Sequence, residues 1–307
     1  MIIPNIFINL YNNIYFFFIG SVSTLLCLIT NLYLYLYIYF RSSKSNIDKL
    51  EGQVKYLNVY KPKGKYDFIK GKIVNWNVHY SCDFYNCNRL IEILKFLKKE
   101  KAEVYVIQEF LNLSFINNRD LIDYMKEYLN IDNHIFVPIY KYNNCSYGNL
   151  ILCQNPILES KILNFKLYYY KTKNICISIK TKANNKEIWI NNTYFNSDIT
   201  GFLQKFQSTK LLKHIEENEG EQLIMGDFNS PSNYKGINML KKNLIDISDK
   251  DGFNKTFPSI YPTAKLDYVF YYGKSDSKSD CDNDSNIEMR IDRNYYSDHL
   301  PLIINFE

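Results

Sequence analysis

Carboxylates, amides and a histidine stand at the ends of apolar, β-rich runs at several points of this 307-residue sequence. They are Asn77 in VNWNV, Glu109 in VIQEF, Asp227 and Asn229 in IMGDFN, Asp267 in KLDYVF, and Asp298 with His299 in YSDHLPL. At a strand tip such a group escapes burial while the sheet fixes its position, as acid–base, metal or hydrogen-bonding chemistry requires. Singly, a strand-end Asp is more often a turn or cap residue, and a lone His more often a satisfied structural group. Their order and company give the set its weight.

The elements that must hold these residues read as α/β material. Runs at 73–78, 104–108, 149–153, 187–195, 222–226 and 266–272 are rich in β-branched and aromatic residues and predict strands. Helical periodicity appears in RLIEILKFLKK, where Leu90, Ile91, Leu94 and Leu97 share a face, and again from Gly201 to Glu217. Strands outnumber helices, internal repeats are absent, and the Ser- and Asp-rich stretch from Ser275 to Asn286 reads as a solvated loop between two late strands.

Taken in order, the marks WNV (76–78), QE (108–109), GNLILCQNPI (148–157), NNTYF (191–195), GDFN (226–229), TFPS (256–259), LDYVF (266–270) and SDHLPL (297–302) resemble the endonuclease/exonuclease/phosphatase superfamily. GDFN and SDHLPL are individually fairly specific, and so many marks in one order make coincidence improbable. The resemblance implies a four-layered α/β sandwich, deoxyribonuclease I-like, with the site where strand-terminal loops converge. It implies Glu109 as the main carboxylate ligand of Mg²⁺, or of Mn²⁺ in its place, with Asn77 and Asp298 nearby, since hard oxygen ligands suit such ions. It further implies Asp227 aligning or deprotonating the attacking water, Asn229 donating to a phosphoryl oxygen, and His299 facing the phosphate with Asp267 holding its imidazole. Ser297 is a further candidate for touching phosphate. Many members carry His after Asn-Thr where this chain has Tyr194. Exonuclease III and AP endonucleases are similar to it there, so Tyr194 and the nearby Asn196 are substrate-binding candidates.

The function so implied is hydrolysis of a phosphodiester or phosphomonoester by water. The alternatives are an AP-endonuclease-like nuclease as the subclass, and an inactive, membrane-tethered module that binds a phosphorylated ligand. The substrate stays open between lipid head group, nucleic acid and nucleotide. FKLYYYKTK (165–173) offers rings and cations that could stack bases and pair phosphates, but it reads slightly better as an exposed alternating strand.

Composition adds the organisation. With 46% hydrophobic and 22% charged residues the chain is globular, which excludes disordered, collagen-like and disulfide-scaffold classes. Residues 1–40 carry no Asp, Glu, Lys, Arg or His, and Ile14 to Phe40 is long enough to span a bilayer core of about 30 Å. We read residues 1–45 as an uncleaved single-pass anchor, 46–72 as a basic juxtamembrane linker and 73–307 as the catalytic domain. Residues 41–72 hold nine Lys or Arg against three Asp or Glu, so of the net +5 charge the remainder has −1. Positive charge only on the C-terminal side of the span places the main domain in the cytosol. Seven cysteines without zinc spacing or a disulfide framework agree with a reducing compartment. The near-neutral remainder excludes a general electrostatic attraction for nucleic acid.

Overall fold

The computed structural model describes residues 68–114, 119–142, 144–166, 174–249, 254–273 and 287–306. Its elements in chain order are β1 (Ile69–Asn77), α1 (Leu90–Glu100), β2 (Ala102–Leu113), α2 (Leu121–Leu129), β3 (Asn133–Tyr142), β4 (Cys145–Cys153), β5 (Glu159–Asn164), β6 (Ile175–Ala183), β7 (Lys186–Tyr194), α3 (Phe202–Glu216), β8 (Gln222–Asp227), α4 (Lys235–Asn243), β9 (Ile245–Asp246), β10 (Asp267–Tyr272), β11 (Ile287–Ile291) and β12 (Leu302–Phe306). They form two six-stranded sheets, ordered β11-β12-β1-β2-β4-β3 and β5-β6-β7-β8-β10-β9. Both sheets are mixed. Each has one parallel pair near its centre, β1 with β2 and β7 with β8, and antiparallel neighbours elsewhere. A parallel pair needs a crossover, which α1 and α3 supply.

Strand alternation decides the layers. In the second sheet Ile177, Ile179, Leu223, Met225 and Val269 join the cluster that also contains the first sheet. Their neighbours Cys176, Ile224 and Phe270 join Leu211 and Ile215 of α3 and Ile237 and Leu240 of α4. On the first sheet, Trp76 meets Phe96 of α1 edge-on at 5.2 Å between ring centroids. The order is helices, sheet, sheet, helices, consistent with the expected sandwich, and each buried aliphatic or aromatic side chain contributes about 1.5–3 kcal/mol.

Every strand run read from the sequence lies within or against an observed strand, but the start of β1 moves. β1 begins at Ile69, so residues 69–72 are strand rather than the end of a linker. Gly71 donates its amide to Glu103 Oε2 at 2.8 Å, and Lys72 pairs with Glu100 at 2.8 Å. The buried stripe of α1 also takes in Ile93 and Phe96, while Ile91 is only half-buried. Helix α3 buries Gln204, Gln207, Ser208 and His214 beside its leucines, and amides facing inward weaken any apolar period.

Among the described residues no helix is long and apolar enough to cross a membrane. The apolar run at 14–40 lies outside the described residues, as do most of the basic stretch, residues 167–173 of the aromatic-basic segment and the acidic loop at 274–286.

Candidate active site

The two parallel pairs point their C-terminal ends the same way, which brings Asn77, Glu109, Tyr194 and Asp227 to one end of the sandwich. β10 runs antiparallel to β8, so its first residue Asp267 pairs with Asp227 at that same end. β12 runs antiparallel to β1, so the Asp298 and His299 that precede it arrive there too.

Glu109 reaches the site through a break in the pleat. On β2, Tyr105 points outward and donates its hydroxyl to Leu97 O of α1 at 2.8 Å. Strict alternation would send Glu109 the same way. Between the pairs Ile107–Leu150 and Phe110–Gly148 the register shifts, setting Gln108 and Glu109 opposite the single Asn149. Glu109 sits at φ 54°, a left-handed conformation that costs a non-glycine residue of order 1–3 kcal/mol. The bulge turns its carboxylate inward.

The GDFN turn is built with similar economy. A Cβ on Gly226, which has φ 146°, would stand 1.9 Å from Thr193 O, so the close approach of β7 requires glycine. Phe228 plunges into the outer core, its ring 4.9 Å from Phe195 and 5.4 Å from Phe270 by centroid. Anchoring Phe228 in this way leaves Asp227 and Asn229 to project at the site, Asn229 at φ 45°.

The polar groups interlock. Asn77 donates its amide hydrogens to Glu109 Oε1 at 3.1 Å and to Asp227 Oδ2 at 2.9 Å, joining the two sheets. Tyr194 donates its hydroxyl to Glu109 Oε1 at 2.7 Å. Asn229 gives its backbone N–H to Asp227 Oδ1 at 2.8 Å and its side chain to Asp227 Oδ2 at 3.2 Å and Phe195 O at 2.9 Å. His299 Nδ1 lies 2.8 Å from Asp267 Oδ2, and its Nε2 lies 3.8 Å from Asp227 Oδ2. The Phe257 ring packs against the imidazole at 4.9 Å.

Burial sets the electrostatics. Asp227 is 1% exposed, and its carboxyl is pushed up to about 8, first by burial and then by Asp267 and Glu109, against the opposing pull of His299 and the Asn229 amide. Burial alone would lower the His299 imidazole, but Asp267, Asp227 and Asp298 outweigh it and hold it well above its ordinary value. Burial and then the Glu109 charge keep the Tyr194 phenol protonated, so it acts as a donor. Asp267 Oδ1 is buried without a hydrogen-bond partner. Asp227, Asp267 and His299 offer ligand atoms within 4.8 Å of one another. With Glu109 and Asp298 beside them, this is an oxygen-rich, acid-heavy set without a thiolate, and a hard divalent cation fits it.

The sequence candidates therefore divide. Asn77, Glu109, Tyr194, Asp227, Asn229, Asp267 and His299 form one connected cluster. Asp298 is at its edge, 3.7 Å from His79 Nδ1. Ser297, a candidate for phosphate contact, is fully buried and donates its hydroxyl to Asn77 O at 2.7 Å, so it braces β1 instead. Asn196 exchanges two hydrogen bonds with Gln207 of α3, each 3.0 Å, and is held there rather than joined to the carboxylates.

Strand-tip reasoning missed a layer of amides directly beneath. Gln108 donates to Asn75 Oδ1 at 2.9 Å and to Asn192 Oδ1 at 2.8 Å, and Asn192 donates to Ile107 O and Leu150 O across the sheets. Asn75, Gln108, Asn149 and Asn192 are all fully buried. The sequence signal was present in NWN, VIQE, GNL and NNT, as amides within apolar strands rather than at their ends.

The sequence model described as the Endonuclease/Exonuclease/phosphatase family matches residues 74–299. Among solved structures, an endonuclease/exonuclease/phosphatase from Bacteroides vulgatus aligns with TM-score 0.60 at 16% identity, covering 78% of this chain and 99% of its own. A family protein from Leptotrichia buccalis gives 0.55 at 16%, covering 77% and 99%. The human nocturnin catalytic domain with bound sulfate gives 0.55 at 18%, covering 78% and 97%. At these identities the structural likeness establishes the fold. No curated protein sequence matches.

Proposed function

The chain belongs to the endonuclease/exonuclease/phosphatase family, and on that premise we propose that it is a divalent-metal-dependent phosphoesterase, held at a membrane by residues 14–40 with its catalytic domain in the cytosol. The observation that carries this reading is the buried Asp267–His299–Asp227 arrangement facing the Asn77–Glu109–Tyr194 group across the two sheets.

Each residue has a task that its surroundings suit. Asp227, raised to about 8, can take a proton from water near neutral pH. Asn229 fixes that carboxylate through two contacts, and to donate to a phosphoryl oxygen its side-chain amide would exchange the long 3.2 Å bond to Asp227 Oδ2 for the substrate. His299, kept protonated by the surrounding acids, can donate to the phosphate or to the leaving oxygen, while Asp267 fixes its orientation. Glu109, oriented by Asn77 and Tyr194, would hold Mg²⁺ or Mn²⁺ with Asp298. Such an ion, when bound, supplies Lewis acidity against the phosphoryl charge.

A nuclease subclass is favoured by one feature, the Tyr at position 194, in which the chain resembles exonuclease III and AP endonucleases. The net charge of −1 beyond residue 72 favours a smaller phosphoester or a lipid head group. The test is hydrolysis of a panel of soluble phosphodiesters, phosphomonoesters, phospholipid vesicles and DNA by the purified chain with Mg²⁺, beside His299→Ala and Asp267→Asn. We expect activity on one class that falls in both variants. Equal activity in all three proteins would reject the assignment.

A further inference from the structure

The loops that deliver the site residues also carry six of the eleven exposed large apolar side chains among the described residues. Phe84 and Tyr85 follow β1, Ile199 follows β7, Ile260 and Tyr261 precede β10, and Tyr295 precedes β12, exposed by 39, 71, 72, 38, 76 and 54%. These are the strand ends that bring Asn77, Tyr194, Asp267 and His299 together, so the apolar residues ring the mouth of the site.

The ring is held in place from below. Buried Asp83 accepts the backbone N–H of Tyr85 and of Cys87, each at 2.9 Å, and the guanidinium of Arg89 at 2.8 Å. Buried Asp198 accepts from Thr200 N and Leu203 N, closing the turn that carries Ile199, and Tyr234 donates its hydroxyl to Ile199 O. Ser259 donates its N–H to Asp298 O at 2.7 Å and its hydroxyl to Ser297 O at 2.6 Å, tying the Ile260–Tyr261 turn to the His299 loop. Polar residues face inward and apolar ones outward, which reverses the usual order for a surface loop.

We propose that this rim docks on a lipid bilayer, so that the site takes a phosphoester borne by a membrane lipid. The inference rests on the phosphoesterase reading and deepens it. Three observations choose the occupant. Isoleucines cannot stack on bases, whereas Ile with Tyr and Phe suits the boundary between head groups and acyl chains. Cations on these loops are few: Arg89 is tied to Asp83 and Lys265 is buried against Asp246, leaving Lys255 and Arg293 exposed among the described loop residues. A polyanion needs more. Finally, the uncharged run at 14–40 is separated from Phe68 by residues 41–67, which reach roughly 90 Å when extended. β1 enters at the end opposite the site and is only about 30 Å long, so the tether allows the rim to turn to the membrane.

The test uses the full chain in phosphatidylcholine proteoliposomes with plain or brominated acyl chains. Tyr85→Trp and Tyr261→Trp report on the rim, and Ile162→Trp on exposed β5 serves as control; Trp76 and Trp189 are buried and common to all. We expect bromine to reduce emission at the rim positions roughly twofold and to leave the control unchanged. In parallel, Tyr85→Ser, Ile199→Ser and Tyr261→Ser combined should lower turnover of vesicle lipid roughly tenfold while leaving a soluble phosphoester unaffected. Equal quenching at all positions, or a variant that instead loses binding to single-stranded nucleic acid, overturns the proposal. Quenching without hydrolysis of any ester would support the docking and reject the catalytic reading; hydrolysis without quenching would do the reverse.

Discussion

Two regions of this molecule bury acidic side chains, and they treat them in opposite ways. Away from the site, Glu100 is 4% exposed and receives Lys72 and Arg290, each at 2.8 Å. Glu103, 6% exposed, accepts from Gly71 N, Asn184 N and Asn155 Nδ2. Those acids are matched. At the site end Glu109, Asp227 and Asp267 are also buried, and among the described residues His299 is the one cation bonded to them and Asp267 Oδ1 has no partner. Matched buried acids fasten β1 and β11 to α1 and β2; mismatched ones are kept for a ligand, because a cluster that costs stability persists where it serves chemistry.

The comparison is broken most forcefully at His299. His299→Ala should lower kcat about 10²–10⁴-fold, the usual worth of a positioned proton donor, a loss measured on the folded protein because the variant also leaves Asp267 without its cation. At the other region the effect should reverse. Lys72→Ala leaves Glu100 with Arg290 alone and should cost about 1–3 kcal/mol in urea unfolding, with turnover of the folded protein unchanged. Burial opposes ionisation of Glu100, but Lys72 and then Arg290 prevail and hold its carboxyl below the ordinary value. The stability it contributes is therefore present above the usual carboxylate range and lost as pH falls through the lowered folded value, so the deficit of Lys72→Ala should shrink in acid.

Asp227→Asn sharpens the contrast. The Asp227 carboxyl is raised on folding, so stability is full below its unfolded value of 3.8 and declines as pH rises towards about 8. In chelator at pH 8 the variant should be about 1–2 kcal/mol more stable than the wild type, converging with it near pH 4, and inactive. The smallest effect is expected at Tyr194→Phe. It removes one donor from Glu109 and should reduce turnover roughly tenfold while leaving Tm in place.

The sequence made the site's members legible because each interrupts an apolar run at a strand end, as Asp227 does in IMGDFN and His299 in YSDHLPL. What it hid depends on contacts between distant strands. Nothing local marks Glu109 for a left-handed conformation; the bulge opposite Asn149 comes from pairing β2 with β4. The amide layer of Asn75, Gln108 and Asn192 reads as broken strand pattern until both sheets are in place. Asn196 and Ser297 stand at the right end of the sheet, yet Gln207 and the Asn77 carbonyl claim their polar groups, which spacing along the chain does not encode. The parallel crossovers were readable at α1 and less so at α3, whose inner face is built partly of amides.

Mg²⁺ dependence of turnover, compared between the wild type and Glu109→Gln on whichever phosphoester the panel identifies, tests the central claim most directly. Saturable activation in the wild type, with a requirement raised at least tenfold or activation lost in the variant, is the predicted result. Identical metal response in the two proteins, or full activity in excess chelator, would contradict the assignment of the unmatched carboxylates to a cation-assisted phosphoester site.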